Sequence, residues 1–312
     1  MQPVLRSLLV CAACLAAALG AQGQNATNPP AGPGESGVTN GSTSATRASA
    51  LRGDAAFTNA APTLEADDLV DFFKRHLYPY EPFYFVAGPD SPNAKFQISF
   101  KYQLVDEEST LAGRAPPATN LFAAYTQTSL WDWNKPSAPF EDSSYLPELM
   151  YCQARLARAG SNEWFRLDFQ TGLQHESNGR AGADSRSLNI AYLRPTLVFG
   201  QAHRLQLTLS PRAWVYVGGL DDNPNLADYR GYADLRAAVG WANGPQLASI
   251  LRVGDDFDRG SVQLDLTYPL NQIPWLGLTW YLQVQYFTGY GESLLHYDER
   301  STAYRFGFSI FR

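Results

Sequence analysis

His175, Ser177 and Asn189 supply the three functions that nucleophilic ester chemistry needs. A serine hydroxyl is a weak nucleophile until a base takes its proton. An imidazole two residues away along an extended strand lies about 6.6 Å off, on the same side of the chain. Asn189 can accept the other imidazole N–H and fix the tautomer, although unlike a carboxylate it adds no charge against an imidazolium. Gly179 follows, and its backbone N–H is a candidate oxyanion donor because glycine tolerates unusual φ at little cost. A His-X-Ser pair alone is a weak signal, since His, Ser and Asn are also ordinary residues of a polar rim. Parity strengthens it. Phe165, Leu167, Phe169 and Leu173 share odd numbers with His175 and Ser177, so a regular strand sets the polar pair on an apolar face. In the next strand Asn189, Ala191, Leu193 and Leu197 share one face, while Arg194 and Thr196 take the other. If the apolar face meets lipid, the three polar groups converge on the outside of the wall near its outer rim. Polar groups are expensive there and are usually functional.

The elements that position these residues have period two. In Trp275 to Phe287, Leu276, Leu278, Trp280, Leu282, Val284 and Tyr286 oppose Thr279, Tyr281, Gln283 and Gln285. His203 to Tyr216 repeats the pattern. Both runs exceed the five or six residues usual in soluble strands, whereas about 9–11 residues cross a bilayer. Strands are expected near 77–87, 96–105, 119–130, 146–158, 163–174, 188–199, 203–216, 231–242, 246–255, 260–268, 275–288 and 302–311. The sequence therefore predicts an all-β fold, a twelve-stranded antiparallel transmembrane β-barrel. Short connections at 159–162, 200–202, 243–245 and 269–274 alternate with long ones at 131–145, 175–187, 217–230 and 289–301, which puts the long loops outside. The 106–118 connection breaks the rule, being long on the turn side. Inward residues such as Arg166, Asp168, Gln170, Arg194 and Arg212 read as a polar filling, so a wide pore is not expected.

Composition agrees. Of 312 residues, 45% are hydrophobic but only 17% charged, and 13% are aromatic. The aromatic content suits an outer-membrane barrel. No apolar run of about 20 residues follows the N-terminal segment, which excludes a helical membrane protein. A net charge of −6 argues against a nucleic-acid binder. Residues 1–21 read as a signal peptide, with Arg6 in the basic region, Leu8 to Leu19 as the apolar stretch, and cleavage after Gly20 or Ala21. That segment takes two of the three cysteines, leaving Cys152 with no disulfide partner. Residues 22–63 are small and polar and are expected to be a disordered linker. Residues 64–76 carry apolar positions suited to a short periplasmic amphipathic segment, and 77–312 form the barrel domain.

The stretch His175-Glu176-Ser177-Asn178-Gly179-Arg180, followed by Ser185-Arg186-Ser187 and Asn189, closely resembles the active-site segment of the outer membrane phospholipase A family. Further matches are Leu77-Tyr78-Pro79-Tyr80, Tyr125-Thr126-Gln127-Thr128-Ser129, Asp221-Asp222-Asn223-Pro224 and Tyr290-Gly291-Glu292-Ser293-Leu294. The resemblance covers about residues 77 to 312. It implies a twelve-stranded barrel in the bacterial outer membrane, with its active site near the outer leaflet. It also implies calcium-dependent hydrolysis of phospholipid acyl esters (A1 and A2 positions, and lysophospholipids) by a homodimer.

Carried over by position, Ser177 is the nucleophile, His175 the general base and Asn189 its orienter. The resemblance assigns Ca2+ to the Arg180 carbonyl, the Ser185 hydroxyl and a carbonyl of the partner subunit, best matched by Ser137. Asp222 matches a ligand of a separate calcium site. These hard oxygen donors suit calcium, which beside an ester carbonyl acts as a Lewis acid. Asp184 is a departure that either strengthens metal binding or faces solvent, and Asp221-Asp222-Asn223-Pro224 also reads as a plain turn. Gln127 shares the lipid-facing parity of Leu121, Ala123 and Tyr125, and the resemblance places it at the subunit interface. The rival expectation is a non-catalytic outer membrane barrel, a narrow channel or a structural protein.

Overall fold

The computed structural model describes residues 73–160, 163–273 and 277–312. The expected signal peptide, linker and most of the amphipathic segment lie outside the described residues. Of that segment, 73–76 are described and are helical. No helix among the described residues is long and apolar enough to cross a membrane.

Thirteen strand segments follow: β1 (Leu77–Pro79), β2 (Phe83–Ala87), β3 (Ala94–Gln103), β4 (Leu121–Trp131), β5 (Phe140–Ala159), β6 (Phe165–Ser177), β7 (Ser187–Phe199), β8 (Gln206–Tyr216), β9 (Ala233–Gly240), β10 (Gln246–Val253), β11 (Gly260–Pro269), β12 (Tyr281–Tyr290) and β13 (Arg300–Phe311). Sequential strands pair antiparallel, and β13 returns to β2, so the sheet closes on itself and leaves no long edge. β1 and β2 both pair with β3, at Phe100–Tyr102 and Ala94–Gln97 respectively. They are two halves of one barrel strand, which makes the wall twelve-stranded. The break falls at Tyr80–Pro82, where Pro82 has no N–H to give. Its carbonyl accepts from Gln97 Nε2 at 2.8 Å, while Glu81 N donates to Ser99 Oγ at 3.1 Å.

β13 shows why the chain needs hydrocarbon around it. Tyr304 and Phe306 are 60% and 68% exposed on the outside, whereas Arg305 and Ser309 are 2% and 0% exposed inside. The usual polarity of a soluble protein is inverted, and a belt of exposed Leu, Val, Phe and Tyr this extensive is stable only against lipid. The lumen is filled as expected. Gln170 bonds Tyr80 and Tyr192 hydroxyls at 2.6 Å each, Arg194 pairs with Glu81 at 3.1 Å, and Arg212 bonds Asp234. Arg166 and Asp168 pair at 3.0 Å at the more open end of β6. At the loop end an apolar plug of Leu188, Ile190, Trp214, Leu226, Leu294 and Tyr297 fills the barrel.

Two boundaries differ from expectation by six residues, the others by three or fewer. β5 begins six residues early, because Phe140 to Tyr145 continue the ladder with β4 up to Trp131↔Phe140. Glu141-Asp142-Ser143-Ser144 has no apolar face, so its period is invisible in the sequence. β12 begins at Tyr281 rather than 275, after Gly277 at φ +61°. The long 104–120 connection is occupied by α1 (Thr110–Arg114), capped by Ser109 Oγ accepting from Ala112 N at 3.1 Å, and by a 3-10 turn, Pro116–Asn120.

Candidate active site

β6 and β7 run antiparallel with His175 directly opposite Asn189 and Ser177 opposite Ser187. Thr126, Thr128, Ser144, Gln174 and Glu176 line the lumen, so the alternate residues Gln127, Tyr145, His175 and Ser177 are on the outer face. Asn189 is exposed on that face, between inward-facing Leu188 and Ile190. His175 Nδ1 and Asn189 Oδ1 are 2.9 Å apart. With the amide oxygen as acceptor, Nδ1 carries the proton and Nε2 is left as the base. No hydrogen bond joins His175 to Ser177. The two half-buried side chains stand in sequence on one side of the strand, as the spacing required. Glu176, between them, turns into the lumen and pairs with Arg230 at 2.9 Å.

The loop after β6 is held by a residue that sequence reasoning passed over. Asn178 is 5% exposed, and its Oδ1 accepts from Arg180 N at 3.2 Å and Arg186 N at 3.0 Å. Its Nδ2 donates to the Asp184 carbonyl at 2.8 Å. One side chain thus closes the 179–185 loop from within. Gly179 sits at φ +67°, which L side chains rarely adopt, and a Cβ there would lie 3.0 Å from Tyr145 Cε2. Among the described residues, the Gly179 N–H has no acceptor and the Arg180 carbonyl no donor. Both remain available, the first for an oxyanion and the second for a cation.

Asp222, which the resemblance gives to a separate calcium site, accepts through Oδ2 from Ser185 Oγ at 3.0 Å and Ser187 Oγ at 3.2 Å. The fully buried Asn223 explains the approach, since its Oδ1 accepts from Ser187 N at 3.1 Å and docks the loop after β8 onto β7. Asp184 is exposed and reaches only Arg180, at 3.8 Å. The Arg180 guanidinium also donates to the Glu141 carbonyl of β5. Ser137, at φ +67° in the 132–139 turn, makes no hydrogen bond to the 180–185 segment of its own chain. That turn is fixed by Asp132, which accepts from the Ser91 hydroxyl, from Asn134 N at 3.2 Å and from Lys135. These donors, Ser91 first, hold its carboxyl below the usual range. Among the described residues no group of three His, Cys, Asp or Glu side chains gathers to hold a metal. A cation here would rest on hydroxyls, carbonyls and the Asp222 carboxylate, a hard-oxygen set that fits calcium and not zinc.

Tyr145 is the second residue the sequence did not reveal. It pairs with Gln127 on β4 and with Ser177 on β6, so Gln127, Tyr145, Ser177 and Ser187 form one row across the outer face. The Gln127 amide is not alone in this row. Its Oε1 accepts from Tyr125 OH at 3.0 Å and its Nε2 donates to Ser129 Oγ at 3.1 Å.

Residues 77–310 match the family model described as phospholipase A1. A relative in Neisseria meningitidis serogroup B is 31% identical over 220 residues, 68% of this chain and 53% of that protein, so the chain spans about half of its length. Phospholipase A1 of Escherichia coli K12 is 29% identical over 262 residues, 78% of this chain and 86% of that protein. Among solved structures, the Salmonella typhi outer membrane phospholipase dimer with bound calcium superposes with a TM-score of 0.62 at 26% identity. That alignment covers 75% of this chain and 91% of the other.

Proposed function

The chain belongs to the phospholipase A1 family, and from that premise we propose a calcium-dependent outer membrane phospholipase that cleaves phospholipid acyl esters with a Ser-His-Asn set. The observation that carries the reading is the 2.9 Å contact of His175 Nδ1 with Asn189 Oδ1 on the lipid side of the wall, with Ser177 next on the same face.

Phospholipid reaches the site laterally from the outer leaflet. His175 Nε2 takes the Ser177 hydroxyl proton as Oγ attacks the ester carbonyl. The Gly179 N–H faces the developing oxyanion. The imidazolium, held in place by Asn189, returns its proton to the departing glyceryl oxygen, leaving an acyl-serine and a lysophospholipid. A water that gives its proton to His175 then attacks the acyl-serine, and as the fatty acid leaves, the imidazolium returns that proton to Ser177 Oγ. The same set acts at either acyl position and on lysophospholipids. Arg180 through its carbonyl, Ser185 through its hydroxyl, the neighbouring Asp222 and a Ser137 carbonyl from a second subunit would hold calcium. When bound, calcium supplies Lewis-acid charge beside the ester carbonyl. Pairing of two barrels along the Gln127–Tyr145 row completes the site, so the isolated barrel stays silent.

Release of fatty acid from labelled phospholipid in detergent micelles, with calcium or with EDTA, tests the assignment. Activity is expected with calcium only, and Ser177→Ala loses at least about 10³-fold while folding normally. Calcium-independent release, or a Ser177→Ala variant as active as the parent, would refute the reading, and the second result would leave a non-catalytic barrel as the alternative.

A further inference from the structure

The lumen of the barrel carries a charge imbalance that the proposed chemistry does not use. A cavity of about 450 Å³ lies inside the wall, bordered by Lys95, Arg212, Arg230, Arg236, Arg252 and Arg312 and by Glu81, Glu176, Asp265 and Glu292. Glu81 is occupied by Arg194 and Arg236, and Glu176 by Arg230 at 2.9 Å. Asp234 takes two bonds from Arg212, both on Oδ2. Arg252 is left over. It stands beside Asp234 in the β9–β10 ladder, yet among the described residues it makes no ion pair, and its Nε has no acceptor. Six cationic side chains thus border the cavity against four carboxylates. Glu148 is spoken for by Tyr80, Tyr192 and Gln174, and counting it still leaves the balance positive. Arg212, Arg230 and Arg252 meet at the plug end of this cavity, with Gln174 and Glu176 beside them. Like charges in a low-dielectric space repel strongly, and an anion that several of them share removes that cost.

We propose that this end of the cavity binds a small tetrahedral oxyanion, such as inorganic phosphate, between Arg252 and Arg230. Guanidinium groups present paired N–H donors that match oxyanion geometry, and of the two here Arg252 forms no ion pair among the described residues, although Asp234 stands opposite it. The bound anion tethers β10 to Arg230, and through the Arg230–Glu176 pair to the strand that carries His175 and Ser177. It therefore acts on the stability of the loop end of the barrel rather than on the reaction.

The test uses the folded protein in phosphate-free detergent micelles with EDTA, at an ionic strength held constant with chloride. Inorganic phosphate is titrated while binding is read by calorimetry and the thermal unfolding midpoint is followed. Saturable binding of one phosphate per barrel with a rising midpoint is expected, equal in the parent and in Ser177→Ala. Arg252→Gln is expected to weaken binding at least about tenfold and, without phosphate, to unfold no earlier than the parent because a repulsion has been relieved. Absence of saturable binding, or equal binding by Arg252→Gln, would overturn the proposal. So would earlier unfolding of that variant in phosphate-free buffer, which would mean that Arg252 is satisfied by Asp234. Loss of catalysis in Ser177→Ala with phosphate binding intact separates this inference from the lipolytic reading.

Discussion

Asn178→Ala isolates the loop that carries the proposed oxyanion donor, Gly179 N–H, and the carbonyl of Arg180 proposed to hold calcium. The parent side chain makes three hydrogen bonds, to Arg180 N, Arg186 N and the Asp184 carbonyl, and is almost fully buried. At about 1 kcal/mol net each, their loss amounts to about 3 kcal/mol, roughly a 10²-fold shift toward an open loop. The barrel wall does not depend on these bonds, since the β6–β7 ladder stops at Ser177↔Ser187. The expected result is therefore a roughly 10²-fold fall in fatty-acid release at low calcium. Raising calcium should recover part of it, and the unfolding midpoint should stay near the parent value. Asn178→Asp keeps both acceptor bonds and loses only the donor to Asp184, so it should fall between parent and alanine. An Asn178→Ala enzyme with parent activity and calcium response would refute the reasoning. Activity lost in step with the unfolding midpoint would refute it as well, since the residue would then hold the barrel and not the loop.

Asn189→Ala removes the single 2.9 Å acceptor of His175 Nδ1 and should lower kcat about tenfold, well short of the Ser177→Ala loss, with KM little changed. Asn189→Asp keeps the acceptor, adds charge toward the imidazolium and should retain most activity. Gly179→Ala places a Cβ 3.0 Å from Tyr145 Cε2 at φ +67°, costs about 1–2 kcal/mol, and should reduce turnover roughly tenfold or more. Parent-level turnover in that variant would exclude the Gly179 N–H as oxyanion donor. Asp222→Ala removes the carboxylate bonded to Ser185 and Ser187, and should raise the calcium concentration for half-maximal activity without changing the activity reached at saturation. A calcium titration of both proteins decides it.

Much of this protein is dictated locally. The two-residue period of a strand fixes which side chains share a face, so twelve wall strands, the inverted polarity and the outward placement of His175 and Ser177 follow from the order of residues alone. The same rule fails where both faces are wet. Phe140–Tyr145 belong to β5, yet carry no apolar alternation, and Tyr145 was hidden among expected loop residues for that reason. The pairing of Asn189 with His175 lies between the two cases. Its parity is local, but the register that sets it opposite belongs to the whole β6–β7 ladder, which neither strand's sequence states. Contacts between distant segments leave no periodic trace. Asp222 meets Ser185 across 37 positions, and Glu81 meets Arg194 and Arg236 across 113 and 155. Only closure of the sheet brings those charges into one lumen, because ion pairing depends on separation in space and is indifferent to separation along the chain.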